Sequence, residues 1–376
     1  MERNENKQRV VVKIGSRLLS DENDGLNYEF LDRIVSELAD LTERGHEIVL
    51  VSSGAIRLGA RKLNLSWSHL DIVGKQAAAA VGQGMLIATY GKLFGSRDVT
   101  VAQVLLTPDI ISLRKKYLNA RNTVRHLLSI HTVPVVNEND TVASDEIKFG
   151  DNDTLAAITA ILTDADLLVL LSDVDGMYDG NPQLTPSVKR ISEIKELNEE
   201  IAGLAGGPAT PGSFGGMTTK LLAAKASMES GIPMVIAHGL TENVVTRILA
   251  GESLGTRFTP KISSLSARKK WLAFGCQTEG VIKVNSGAKK AIVSDGKSLL
   301  PSGIVGVENS FDQGACVEIQ GPDDTVFAKG LTNYTSLELE QIQGHRSVEI
   351  KKILHYKIAD EAIHRDDLVL LPLPKI

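Results

Sequence analysis

Lys13 lies inside the apolar run Val10-Val11-Val12-Lys13-Ile14, and Gly15 and Ser16 follow it directly. An ammonium within a buried strand is costly unless it meets an anion. A Gly-Ser turn at the end of that strand can present backbone N–H groups to the same anion. A second lysine, Lys220, closes the stretch Ser213-Phe214-Gly215-Gly216-Met217-Thr218-Thr219-Lys220, a glycine loop opening a helix. Helix N-termini favour phosphate. Between the two lysines lie two clusters of acids and amides, Asn137-Glu138-Asn139-Asp140 and Lys148-Phe149-Gly150-Asp151-Asn152-Asp153. So many Asn and Asp beside a buried strand suit the grip of an amino acid's ammonium and carboxylate, and the orientation of a catalytic lysine, because unpaired polar groups there are expensive. Taken singly each feature has a plain structural alternative: a lysine snorkelling at a sheet edge, Asp153 as a helix N-cap, a flexible glycine turn.

These residues share one placement, the carboxyl end of a strand, where open α/β sheets put their ligands. Strands are expected at Val10–Ile14, Glu47–Val51, Thr100–Leu106, Thr132–Val136, Ala165–Leu171 and Ile232–Ala237. Helices are expected at Tyr28–Arg44, Val73–Phe94, Asn119–Ser129, Thr154–Leu162 and Met217–Ser230. That alternation implies right-handed βαβ units in a parallel-sheet αβα sandwich. Ser52-Ser53-Gly54 and Ser172-Asp173 stand at the ends of two of the strands. After Pro260 the pattern changes to short Val- and Ile-rich runs at Gly280–Val284, Gly303–Val307 and Ala315–Ile319, separated by Gly, Asp and Asn turns. A small all-β barrel is expected there. The divisions read from sequence are an α/β domain over 8–260, a linker over 261–278, a β domain over 279–357 and a tail over 358–376.

At 376 residues the chain is long for one domain and comfortable for two. Its 41 Lys and Arg against 46 Asp and Glu give a net charge of -5, which disfavours a main role in coating nucleic acid or anionic membrane. Two cysteines, Cys276 and Cys316, make no disulfide framework and suit a reducing compartment. Met1 to Gln8 lacks the apolar core of a signal peptide, so a soluble cytoplasmic protein is expected. There is no G-x-x-x-x-G-K-[ST] loop, no G-x-G-x-x-G after a strand, no G-x-S-x-G elbow and no zinc spacing.

In the order V-V-K-I-G-S, S-S-G-A-I, V-N-E-N-D, K-F-G-D-N-D, S-D-V-D-G-M-Y and G-G-M-T-T-K, these segments resemble the amino acid kinase family over about the whole chain. The residues from Glu279 onward resemble a PUA domain. Ser213-Phe214 stands where the family usually has Gly-Thr. The resemblance implies ATP-dependent phosphorylation of the γ-carboxylate of L-glutamate to γ-glutamyl phosphate, the first step of proline biosynthesis. It implies that Lys13 and Lys220 bind the nucleotide phosphates and neutralise the transferring group, and that Asp153 holds both lysines. Gly15 and Ser16 would offer N–H groups to phosphate. Ser172, Asp173 and the loop Ser213, Phe214, Gly215, Gly216, Met217, Thr218 and Thr219 would line the ATP pocket. Ser53, Asp140 and Asn152 would bind glutamate. Also implied are Mg2+ bridging ATP oxygens with no metal-ligating residue assigned, feedback inhibition by proline, a homo-dimer or tetramer, and delivery of the product to glutamate-5-semialdehyde dehydrogenase. A carboxylate acceptor is ionised at neutral pH and needs no general base, which agrees with a site rich in lysine.

Two other readings compete. One is a relative acting on aspartate, N-acetylglutamate, carbamate or a nucleoside monophosphate; the PUA-like tail favours glutamate over these. The other is RNA binding through that tail. There Lys289, Lys290, Lys351 and Lys352 are offset by Asp312, Glu318, Asp323, Asp324, Glu338 and Glu340, and aromatics are only 4% of the chain, so no basic aromatic stripe is expected.

Overall fold

The computed structural model describes residues 7–21, 25–107, 114–142, 152–180, 187–204, 216–260, 272, 276 and 278–371. Two compact units divide the chain, Met1–Ser264 and Leu265–Ile376.

The first unit runs β1 (Arg9–Ile14), the one-turn α1 (Ser16–Leu19), α2 (Tyr28–Glu43), β2 (Glu47–Val51), α3 (Ala55–Lys62) and the long α4 (Ile72–Gly95). It continues through β3 (Val101–Leu106), α5 (Arg114–Ser129), β4 (Val133–Glu138), α6 (Asn152–Thr163) and β5 (Leu167–Ser172). Then come the two-residue strands β6 (Met177–Tyr178), β7 (Arg190–Ile191) and β8 (Glu193–Ile194), followed by α7 (Glu199–Leu204) and α8 (Met217–Glu229). β9 (Met234–His238), α9 (Val244–Leu249) and β10 (Thr256–Phe258) complete it. Among the described residues one sheet has the order β3-β4-β2-β1-β5-β9-β10-β8. From β3 to β9 every neighbouring pair is parallel.

Side chains alternate across a strand, and here the alternation decides the chemistry. Val10, Val12 and Ile14 face a core shared with Leu31, Ile34, Val35 and Leu38 of α2 and Leu86, Tyr90 and Phe94 of α4. Val11 and Lys13 therefore face the opposite side, where α6 packs on β1. β5 is buried at all six positions, as a central parallel strand covered on both faces must be.

Two elements depart from the sequence reading. α5 starts at Arg114, five residues ahead of the expected Asn119, because Arg114, Lys115 and Lys116 have good helix propensity but no apolar signal, and Tyr117 is its first buried side chain among the described residues. β10 runs antiparallel to β9 at the sheet's far side. Gly255 turns the chain into β10 at φ 71°, so close to β9 that a Cβ there would fall 1.9 Å from the Ile236 carbonyl oxygen.

In the second unit β11 (Gly280–Val284), α10 (Ser286–Val293), β12 (Ile304–Glu308), β13 (Cys316–Gln320), β14 (Val326–Leu331), α11 (Ser336–Ile342), α12 (Ile350–Leu354) and β15 (Leu368–Leu370) follow one another. The sheet order is β12-β11-β13-β14-β15. β11 and β13 are parallel and the other pairs antiparallel. Its core gathers Ile282, Val317, Ile319, Tyr334, Leu339 and Ile363. β15 comes from the stretch beyond 357. α11 carries a full capping box between Thr335 and Glu338, which explains a helix start in a stretch of short strands. The reading of the cysteines needs correction. Cys276 and Cys316 are bonded to one another, with Cα atoms 6.1 Å apart, across 40 residues. Composition argued from compartment alone and could not see that the fold brings them together.

α3 and α4 pack antiparallel through glycines. A Cβ at Gly59 would lie 1.7 Å from the Ala78 carbonyl oxygen, and one at Gly82 would lie 1.8 Å from that of Ala55. No rotamer relieves a clash with backbone, so the helices would have to part. Gly82→Ala is expected to cost about 1–3 kcal/mol of stability, as overpacking does. Thermal unfolding checks this; an unchanged midpoint would show that the helices separate freely.

Candidate active site

β1 ends in Gly15, whose N–H donates to the Leu171 carbonyl oxygen of β5 at 3.0 Å. That N–H is therefore committed, and Gly15 draws the turn tight against β5 while Ser16 opens α1. One residue before the turn, the Lys13 ammonium lies 2.5 Å from Oδ1 of Asp153 in the first turn of α6. The other oxygen of Asp153, Oδ2, accepts from the Lys220 ammonium at 3.1 Å and from the Thr219 hydroxyl at 3.0 Å, both in the first turn of α8. Relative exposures are 4% for Lys13, 0% for Asp153 and 8% for Lys220.

Three elements thus converge on one carboxylate. α6 packs on β1 and on α8, so helix packing sets the distances. Asp153 also sits where the α6 dipole favours an anion. Gly216 is the N-cap of α8, and among the described residues no side chain caps its first N–H groups. Two ammoniums held side by side by a buried carboxylate, next to an uncapped helix start, make a cation pair suited to a polyphosphate.

Around the ends of β2 and β4 the site changes character from charge to amides and hydroxyls. Asn152 Nδ2 donates to the Ser52 carbonyl oxygen at 2.7 Å, to Ser53 Oγ at 2.9 Å and to Asn137 Oδ1 at 3.1 Å. Asn137 Nδ2 in turn donates to Gln83 Oε1 of α4 at 2.7 Å. Ser52 Oγ meets the Tyr90 hydroxyl, also of α4, at 2.9 Å. Asp140, just after β4, is half-buried, and the loss of solvent pushes its carboxyl up to about 6.

On the β5 side Ser172 Oγ donates to Asp173 Oδ1 at 3.1 Å, and Arg17 of α1 reaches Asp173 Oδ2 at 2.7 Å. Burial would raise the Asp173 carboxyl, but these hydrogen bonds and the guanidinium charge outweigh it and hold the group below its ordinary value. The ion pair ties the turn after β1 to the end of β5.

The structure therefore brings Lys13, Asp153, Lys220 and Thr219 together, and separately Ser53 with Asn152. Ser16, Ser172, Asp173, Gly216, Met217 and Thr218 stand at the same ends of the strands and helices. Ser213, Phe214 and Gly215 of the glycine loop lie outside the described residues, as does 143–151. Sequence reasoning gave no role to Arg17, Gln83 or Tyr90, and placed Asn137 only within an acid-and-amide cluster suited to gripping an amino acid. Asn137 and Gln83 were visible as polar residues in otherwise apolar or Ala-rich runs, a signal that says nothing about which atoms they face. Among the described residues no group of three or more His, Cys, Asp or Glu could hold a metal ion. Nor is any helix among them long and apolar enough to cross a membrane.

A parallel-sheet sandwich that holds two lysines on one buried carboxylate is suited to phosphoryl transfer. The model of the amino acid kinase family matches residues 8–238, and this chain belongs to that family. Within it the chain is similar to curated glutamate 5-kinases. The glutamate 5-kinase of Carboxydothermus hydrogenoformans is 49% identical over 367 residues, covering 97% of this chain and 98% of that protein. The glutamate 5-kinase of Caldanaerobacter subterraneus subsp. tengcongensis is 47% identical over 363 residues, 96% of this chain and 98% of that one. The PUA domain model matches residues 280–354. Among solved structures the chain is similar to UMP kinase from Bacillus anthracis, at 18% identity and a TM-score of 0.48, over 68% of this chain and 97% of that one.

Asp153→Asn removes the charge that two buried ammoniums share. Leaving a buried ion uncompensated typically costs about 3–5 kcal/mol. The midpoint of chemical denaturation should fall accordingly at pH 7. An unshifted midpoint would mean that the lysines do not need this carboxylate.

Proposed function

We propose that the chain transfers the γ-phosphoryl group of ATP to the γ-carboxylate of L-glutamate, giving γ-glutamyl phosphate, the first step of proline biosynthesis. The observation that carries this reading is Lys13 and Lys220 held on Asp153, in a chain whose relatives bear the name glutamate 5-kinase.

The reaction asks little covalent chemistry of the protein. The acceptor carboxylate is already ionised at neutral pH, so no residue needs to remove a proton. What opposes reaction is the approach of two anions, and catalysis consists of aligning them and offsetting their repulsion. Lys13 and Lys220 bind the nucleotide phosphates and stabilise charge on the group in flight. Asp153 keeps the two ammoniums at fixed positions. Ser16 presents its N–H to phosphate, and Gly216 to Thr219 border the same anion. Ser172 and Asp173 line the nucleotide side.

Glutamate occupies the amide-rich side. Ser53 Oγ already accepts from Asn152, so its own proton is left to donate to a substrate carboxylate. With Asn152 Nδ2 engaged, Asn152 Oδ1 and the Asp140 carboxylate are acceptors for the α-ammonium. When bound, Mg2+ would offset charge on the phosphates of ATP, and it would be held by the nucleotide rather than by side chains of this chain. This donor set fits that arrangement, because both oxygens of Asp153 are engaged by side chains.

The same reading places the enzyme in the cytoplasm as a homo-dimer or tetramer, inhibited by proline, with a labile product suited to direct use by glutamate-5-semialdehyde dehydrogenase. In the second unit Lys283 pairs with Glu308 at 2.6 Å and Lys289 with Asp323 at 2.7 Å, which supports a role other than bulk RNA binding.

Hydroxylamine trapping of the acyl phosphate tests the reaction, with L-glutamate, L-aspartate and N-acetylglutamate side by side. Signal is expected with glutamate and suppression by proline; signal only with another acid would overturn the substrate. Lys13→Ala or Lys220→Ala should lower kcat about 10²–10³-fold, the scale of losing a preorganised donor at the reacting charge. Near-normal turnover of either variant would remove that lysine from the mechanism. pH adds an independent check. Asp140 titrates at about 6 and is charged only above that value, so its attraction for an ammonium is present at pH 7 and lost as pH falls. KM for glutamate should rise roughly tenfold between pH 7 and 5, following the ionised fraction of one carboxyl. Asp140→Asn should flatten that dependence; an unaltered profile in the variant would assign it to another group.

A further inference from the structure

Gln83 has no part in the reaction as described, yet it ends the hydrogen-bond chain that orders the acceptor side. It lies on α4 with 8% relative exposure. Its Oε1 accepts from Asn137 Nδ2 at 2.7 Å, while its Nε2 is buried and has no hydrogen-bond partner among the described residues. Buried amide donors are seldom left this way, so the orientation of this amide must be imposed by its surroundings.

The surroundings do impose it. Asn137 is 3% exposed, and its Oδ1 accepts from Glu138 N at 2.9 Å and from Asn152 Nδ2 at 3.1 Å. Turning the Asn137 amide over would set its NH2 against two donors. Asn137 must therefore donate towards α4, and the atom of Gln83 that meets it must be an acceptor. Reading outward, Gln83 Oε1 takes a proton from Asn137, Asn137 takes one from Asn152, and Asn152 gives one to Ser53. Asn152 thus donates both ways, to Asn137 and to Ser53, and the Ser53 hydroxyl proton is left unused within the relay.

We infer that Gln83 is a positioning residue for the acceptor amino acid: it is the terminal acceptor for the Asn137 amide that Glu138 N and Asn152 turn towards α4, and so it holds the Asn137–Asn152–Ser53 relay in place beside a substrate carboxylate. The inference rests on the glutamate reading given above. α4 is suited to the task, because it holds the same region at two further points. Its Tyr90 hydroxyl meets Ser52 Oγ, and its Gly82 touches the Ala55 carbonyl oxygen.

Steady-state kinetics of the full chain, by hydroxamate formation, test the assignment. Gln83→Met keeps the length and bulk and removes the acceptor. KM for glutamate should rise about tenfold, the effect of leaving one buried donor unpaired, while KM for ATP stays within about twofold. Gln83→Glu keeps an acceptor oxygen at the same reach and should return KM for glutamate to within about threefold of the parent at pH 8, a rescue expected of a group that acts as acceptor. Gln83→Asn draws the amide back by one methylene and carries the same expectation as Gln83→Met, so the test does not hang on one variant folding. An unchanged KM for glutamate in Gln83→Met or Gln83→Asn overturns the assignment. So does a rise in both KM values together with a lowered Tm, which is the mark of a packing role alone. Gln83→Glu behaving like Gln83→Met overturns it as well. A parent protein inactive with glutamate overturns the substrate reading and this inference together, whereas active parent and indifferent variants overturn the inference only.

Discussion

The Asp153 carboxylate, wholly buried and shared between two lysines from different elements, is the interaction on which the rest of the first unit depends. Neither lysine could stay buried and charged without a counter-ion, and one carboxylate serves both. Lys13 reaches it only because β1 alternates, placing Val12 and Ile14 in the α2 and α4 core and Lys13 under α6. Lys220 reaches it only because α8 packs on α6 with its first turn beside that of α6. The contacts between β1, α6 and α8 thus position charge as well as bury apolar surface. A sequence that folded the same sheet with a different register of β1 would put the ammonium in an apolar core, so the charge also specifies the register.

Much of this was legible before the structure. Period-2 and period-3.6 patterns located the central strands and the helices between them, because both faces of the sheet are covered and the apolar signal is strong. Lys13 stood out as a charge inside an apolar strand, and Asp153 and Lys220 as residues opening helices. Where the signal failed, a physical reason can be named. The charged start of α5 has no apolar face to reveal it, and β10 is three residues long and held by the close approach of Gly255. The bond between Cys276 and Cys316 depends on tertiary proximity that composition does not encode. Resemblance, not pattern, assigned Ser53, Asp140 and Asn152, and neither source assigned Gln83 or Arg17. Amide polarity and an ion pair spanning 156 residues are properties of the folded arrangement.

α4 illustrates that limit. By pattern it is an Ala-rich helix broken by Gly82-Gln83-Gly84. In the fold two of the three interruptions have a use. Gly82 admits the α3 backbone, and Gln83 accepts from Asn137. A glycine that lowers helix propensity is tolerated where closer packing offsets the loss.

The two sides of the proposed site meet at the start of α6. Asn152 and Asp153 are consecutive, and consecutive helical residues point about 100° apart, as 3.6 residues per turn requires. Asn152 turns to Ser53 and Asn137, among acceptors and hydroxyls; Asp153 turns to the two lysines. One rigid turn of helix therefore spans from the side suited to an amino acid to the side suited to phosphate. In-line transfer between two anions is sensitive to their separation by fractions of an ångström, since positioning and charge supply nearly all of the catalysis. Carrying both anchors on adjacent residues of a single helix start fixes that separation covalently. Two loops moving independently would have to be held in register by contacts instead. The packing of α6 against β1 and α8 then serves one further end, to keep that shared turn still while the substrates come and go.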